Sequence, residues 1–155
     1  MTIMPDSTRS WHDSLVDDDA GIARILQETR TIAVLGAKPD RAAPSYYVPA
    51  YLAQRGYRLS PINPEYAGQQ ILGEIVIARL AALPGPVDLV EVFRRPGYLV
   101  EHAREILALP WRPRTVWFQL GIRNDEAAAM LARGGITVVQ DRCMMPDHMR
   151  LIGAA

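Results

Sequence analysis

Two arginines stand side by side in Phe93-Arg94-Arg95-Pro96, directly after the apolar run that begins at Asp88-Leu89-Val90. Adjacent guanidinium groups at the end of a buried strand are poor core residues, because a buried charge requires a partner. An arginine so placed can grip a phosphate through two parallel hydrogen bonds, and an aromatic or guanidinium face can stack on a base. One arginine in solvent and one paired with a loop acid would account for the dipeptide equally well. A second cationic segment, Gly36-Ala37-Lys38-Pro39-Asp40-Arg41, follows the apolar run Thr31 to Leu35. A glycine at a strand end lets a ligand come close to the backbone, and the next helix would point free N–H groups at it. With Lys38 and Arg41 this describes a phosphate cradle, although an ordinary solvated loop explains the loop alone.

Gln119-Leu120-Gly121-Ile122-Arg123-Asn124 closes another apolar run. Helix capping explains Asn124, whereas Gln119 at a strand end demands several hydrogen-bond partners. Cys143, Asp147 and His148 could form a thiol nucleophile with its base, yet nothing in their spacing shows that the side chains meet. A lone cysteine beside Met144 and Met145 reads better as a small buried hydrophobe. His12 falls in a loose N-terminal arm, and His102, between Glu101 and Arg104, reads as a solvated helix residue. No cluster of three or four ligands suggests zinc.

These segments need elements to hold them. Ile22, Ile25, Leu26 and Thr29 recur at helical spacing behind Asp17-Asp18-Asp19, which predicts a capped helix over Asp19 to Glu28. Thereafter strand-like and helix-like stretches alternate. Strands are expected at Thr31–Leu35, Tyr57–Ile62, Asp88–Phe93, Thr115–Leu120 and Ile136–Val139, with a short one at Ile75–Ile77. Helices are expected at Ser45–Arg55, with Tyr47, Val48, Tyr51 and Leu52 on one face, at Tyr98–Leu109, and from the Asn124 cap to Gly134. Pro49 is tolerable if Ser45 is the cap and the proline ends the first turn. Such alternation predicts an α/β, three-layer, doubly wound Rossmann-like fold with a mainly parallel sheet, plus the N-terminal helix. Ligands in such folds bind beyond the carboxyl ends of the strands, which selects the loops at Gly36 to Pro44, Asn63-Pro64, Phe93 to Pro96 and Gln119 to Asn124.

With 155 residues the chain suits one domain, expected over residues 17–155 behind a flexible arm at residues 1–16. Its 17 basic and 17 acidic side chains balance, which argues against a nucleic-acid partner bound by neutralising many phosphates. No run reaches the ~18 apolar residues of a membrane span. The N-terminus lacks the apolar segment of a secretory signal, and the single cysteine fits a reducing cytoplasm. The GxGxxG pattern fails after Gly36, and Asn63 stands where an NAD site would place its ribose-binding acid. Glu65 nearby keeps NAD(P) open as a weaker reading.

The series Ala33-Val34-Leu35-Gly36-Ala37, Gly56-Tyr57, Pro61-Ile62-Asn63-Pro64, Ile71-Leu72-Gly73-Glu74, Asp88-Leu89-Val90, Val92-Phe93-Arg94-Arg95-Pro96, Trp117-Phe118-Gln119-Leu120-Gly121 and Asp141-Arg142-Cys143 resembles the small stand-alone CoA-binding proteins. These are similar to the N-terminal CoA-binding domain of the succinyl-CoA synthetase α subunit, occurring alone, and the resemblance spans about Thr31 to His148. It implies a domain that binds coenzyme A or an acyl-CoA with no established reaction. On the family pattern Gly36, Ala37, Lys38 and Arg41 would hold the diphosphate, while Asn63 and Pro64 would border the nucleotide. Phe93, Arg94 and Arg95 would line the ADP part, and Gln119, Gly121 and Asn124 would follow the pantetheine arm. The sequence departs from that pattern at Lys38, where a serine is common, and at Arg41-Ala42-Ala43, where a lysine-containing stretch is common. An acyl-CoA-processing enzyme using Cys143 or His148, and an NAD(P)-binding redox protein, are the alternatives. A homo-oligomer is compatible with the sequence, which carries no signal that decides it.

Overall fold

The computed structural model describes residues 10–153. Five strands form one parallel sheet: β1 (Thr31–Leu35), β2 (Arg58–Ile62), β5 (Leu89–Val92), β6 (Thr115–Phe118) and β7 (Thr137–Val139), in the order β2-β1-β5-β6-β7. Between β2 and β5 the chain folds a small antiparallel pair, β3 (Gln70–Ile71) with β4 (Glu74–Ile75). Ile77 then bridges back to Ile62.

Alternation along the central strands divides their side chains between two helical layers. Ile32, Val34, Leu89 and Trp117 face α1 (Asp19–Glu28), α2 (Pro44–Gln54) and α5 (Met144–Leu151). Ala33, Leu35, Val90, Val92, Val116 and Phe118 face α3 (Leu99–Leu107) and α4 (Asp125–Arg133). The chain leaves β1 through α2 to reach β2 on one side, then crosses to β5 on the other side of β1 and builds β6 and β7 outward. The topological switch point of this three-layer Rossmann-like fold therefore lies between the carboxyl ends of β1 and β5.

Several expectations shift. The described part of the expected arm, from Ser10 to Val16, makes contacts with the domain. Trp11–Ser14 is a 3-10 turn, Arg133 lies 4.8 Å over the Trp11 ring, and Leu15 bridges Val138. Residues 1–9 lie outside the described residues. Helix α2 starts a residue early with Pro44 in its first turn, and Ser45 is buried rather than capping it. Pro49 consequently sits mid-helix and leaves the Ser45 carbonyl without its helical donor. The buried face of α2 is Ser45, Val48, Pro49 and Leu52, so Tyr47 is released to the surface.

Helix α5 has no counterpart in the periodicity, because its buried positions Met144, Asp147 and His148 include two polar residues. Both are satisfied by tertiary contacts. Arg142 clamps Asp147 with bonds of 2.8 and 3.0 Å, and His148 Nδ1 pairs with the Tyr51 hydroxyl at 2.8 Å. In the acidic triplet Asp18 caps α1, while Asp17 and Asp19 pair with Arg142 and Arg150 and tie α1 to the α5 layer.

Candidate functional site

Gly36 ends β1 at the switch point with φ +95°, a left-handed conformation that suits glycine. A Cβ there would come within 2.5 Å of the Phe93 carbonyl oxygen. The glycine is therefore required first by the seam between the β1 and β5 loops, which Phe93 N–H donating to Leu35 also closes. A cleft opens on each side of this seam, of about 430 and 540 Å3.

The first cleft lies on the α2 and α5 side. Lys38, Phe93, Arg94, Arg95 and Gln119 line it, and α2 adds Ser45 and Tyr47. Gln119 is buried, and its Oε1 accepts from the Met144 N–H at 3.1 Å, which holds the start of α5 against β6. Cys143 lines this cleft too. Burial pushes its thiol above the ordinary value, partly offset by hydrogen bonds from Met145 N–H and the Gln119 side chain. Asp147 and His148 are engaged elsewhere, so among the described residues no hydrogen bond joins the thiol to a base.

The second cleft lies on the α3 side, bounded by Gly36, Asn63 and Pro64 with Arg79, His102 and Glu105. Asn63 is buried and engaged at both ends of its amide: Nδ2 donates to the Ala37 carbonyl at 2.9 Å, and Oδ1 accepts from Glu65 N–H at 3.0 Å. His102 is not solvated as expected, since its side chain is 18% exposed and accepts from Arg94 Nε at 3.3 Å. Burial, and then the Arg94 charge, hold its ionisation below the ordinary histidine value. Burial likewise raises Glu105, whose Oε1 has no hydrogen-bond partner among the described residues. Arg94 forms the wall between the two clefts and lines both.

The remaining sequence candidates fall outside both clefts. Ala37 is buried and offers its carbonyl to Asn63, and Arg41 is exposed beyond the rim. Gly121 turns with φ +82°, its N–H bonded to Asp141, while Asn124 caps α4 through Ala127 N–H at 3.0 Å. Asn124 Nδ2 also donates to the Pro96 carbonyl, bracing the loop that carries the arginines. Sequence reasoning missed Ser45, Tyr47, Arg79 and Glu105. The helix register of α2 could have found Tyr47, because moving the start to Pro44 exposes it. Nothing local in the chain signals Arg79 or Glu105. Among the described residues there is no group of three metal-ligating side chains, and no helix is long and apolar enough to cross a membrane.

A parallel sheet with clefts at its switch point defines a Rossmann-like domain, and solved structures share that fold. A Thermus thermophilus protein is 46% identical with a TM-score of 0.82, covering 87% of this chain and 99% of its own. A hypothetical protein from Pyrococcus horikoshii is 31% identical with a TM-score of 0.81, covering 88% and 94%. Residues 30–149 match the CoA binding domain model, and the chain belongs to that family. The uncharacterized Bacillus subtilis protein YneT is 37% identical over 131 residues, 83% of this chain and 93% of that protein.

Proposed function

We propose that this chain binds coenzyme A across the switch point and performs no reaction on it. The observation that carries the reading is the set of three cations, Lys38, Arg94 and Arg95, around an otherwise largely apolar cleft at the strand ends. Membership of the CoA binding domain family supports the choice of ligand. The anionic ADP part meets the arginine wall, and the pantetheine arm runs toward Gln119 and Cys143. An acyl-CoA would enter the same way. The raised Cys143 thiol without a base supports a binding role over a hydrolytic one. The lone cysteine suits a reducing compartment such as the cytoplasm.

Charge-assisted hydrogen bonds of ~1.5–3 kcal/mol each, offset by the cost of association, lead to a dissociation constant in the micromolar range. The test is calorimetric titration of ligand-stripped protein with CoA, 3′-dephospho-CoA and NADH. CoA is expected to bind, and Arg94→Ala to weaken it by about tenfold or more. NADH binding at least as tightly as CoA would replace this reading with a dinucleotide site.

A further inference from the structure

Arg94 is held from two directions. Its Nε–H donates to His102 Nε2 at 3.3 Å, and its guanidinium carbon lies 4.9 Å from the centre of the Tyr98 ring. Arg95, next in the chain, is exposed. His102 arrives from α3 and lines only the second cleft, whereas Arg94, which it touches, lines both. Accepting from Arg94 requires a bare Nε2, which places the ring proton on Nδ1, the nitrogen 4.0 Å from Glu105 Oε1.

We propose that neutral His102 is a positioning residue that fixes the Arg94 guanidinium on the wall shared by the two clefts. Anion binding there then depends on the ring staying unprotonated. A protonated ring would set an N–H against the Arg94 N–H and place a second positive charge beside the first. The charged groups around the ring come from three segments. Arg94 follows β5, Glu101 and Glu105 belong to α3 itself, and Arg79 precedes the 3-10 turn Leu80–Ala82. Helix α4 also packs on α3, and its buried residues are Ala127, Ala128, Leu131 and Ala132. Burial and Arg94 favour the neutral ring, opposed by Glu101, so the loss comes below the ordinary histidine range.

This inference rests on the CoA reading of the site, and its test separates the two. CoA affinity is measured for the native chain, His102→Gln and His102→Phe from about pH 8 downward to the acid limit of the fold. The phosphates of the ligand titrate identically in all three, so only differences between the proteins count. The glutamine oxygen accepts from Arg94 at every pH. His102→Gln is therefore expected to match the native chain at the higher pH and to bind better than it in acid. His102→Phe has no acceptor, and is expected to bind about tenfold more weakly at the higher pH, with the native chain falling to its level in acid. One shared pH profile for the three, or full affinity in His102→Phe at the higher pH, overturns the proposal. If CoA binds none of them, the CoA reading fails. The ring is then judged in the ligand-free protein by its nitrogen resonances: an Nδ1–H tautomer whose titration shifts the Arg94 Nε–H signal upholds the link, and an Nε2–H tautomer overturns it.

Discussion

The two faces of the sheet treat polar side chains differently. On the α3 and α4 face the titratable groups His102 and Glu105 line a cleft and keep part of their side-chain surface exposed, 18% and 35%. On the α1, α2 and α5 face Glu91 sits in the middle of β5, between Val34 of β1 and Trp117 of β6, with no exposed surface. Neither of its carboxyl oxygens has a hydrogen-bond partner among the described residues. A polar group at the rim can be shared with water and a ligand, whereas one in the core costs stability with nothing to offset it. The first kind serves binding and the second is a weak point of the fold. The same sheet carries both because each faces a different layer.

That contrast is sharpest in its pH dependence, which also gives the largest expected effect. Burial raises the Glu91 carboxyl from 4.5 to about 8. Between those values the folded chain holds a proton that the unfolded chain has released. Stability therefore falls as pH rises through that window, by up to ~1.4 kcal/mol per unit, and the loss is complete above the folded value. Denaturant unfolding of the native chain across the window should show this slope, and Glu91→Gln should abolish it. Equal slopes in both proteins would mean that the carboxyl finds a partner in solution and that the two faces are alike.

The faces meet at Gly36, and the second prediction breaks the seam between them. Gly36→Ala combines a left-handed φ with a Cβ 2.5 Å from a backbone oxygen, which no side-chain rotation relieves. A loss of about 2–4 kcal/mol is expected in denaturant unfolding. CoA affinity should fall with it, since the Arg94 wall hangs from the displaced Phe93 loop. Unchanged stability would show that the β1 and β5 loops are not held against each other there.

How much of this was legible in the chain follows the same division. Strand ends announce themselves, because an apolar run stops at a glycine or a charged pair. Gly36, Lys38, Phe93, Arg94, Arg95 and Gln119 carry that signal, Asn63-Pro64 carries that of a turn, and the structure sets them around the two clefts. Asn124 and Gly121 carry the same local signals, but capping of α4 and the turn to Asp141 use them up. Helix α5 escaped because Asp147 and His148 are satisfied by Arg142 and Tyr51, residues that no local pattern connects to them. His102 carries the signature of a solvated helix residue for the same reason: Arg94 lies before α3, outside its periodicity, and meets the ring only once β5 and α3 have packed. Glu91 looks like any strand residue that faces water, and only the sheet order shows that both of its neighbours are interior strands.

The smallest effects separate cations held by partners from those with none among the described residues. Lys38 and Arg95 line the first cleft while remaining exposed, unlike Arg94, which His102 and Tyr98 hold in place. A free surface charge attracts an anion from a distance but loses side-chain entropy when it settles on one. Lys38→Ala and Arg95→Ala are each expected to weaken CoA binding by less than ~1 kcal/mol, mostly through slower association at low salt. Raising the ionic strength to ~0.15 M or above should shrink that deficit, because the screening length falls to ~8 Å. Arg94→Ala should keep most of its deficit under the same conditions, since a positioned hydrogen bond in a half-buried wall is poorly screened. Stopped-flow association rates at two salt concentrations measure the difference. If all three variants respond to salt alike, Arg94 is no better anchored than its neighbour, and the two arginines act as one diffuse charge.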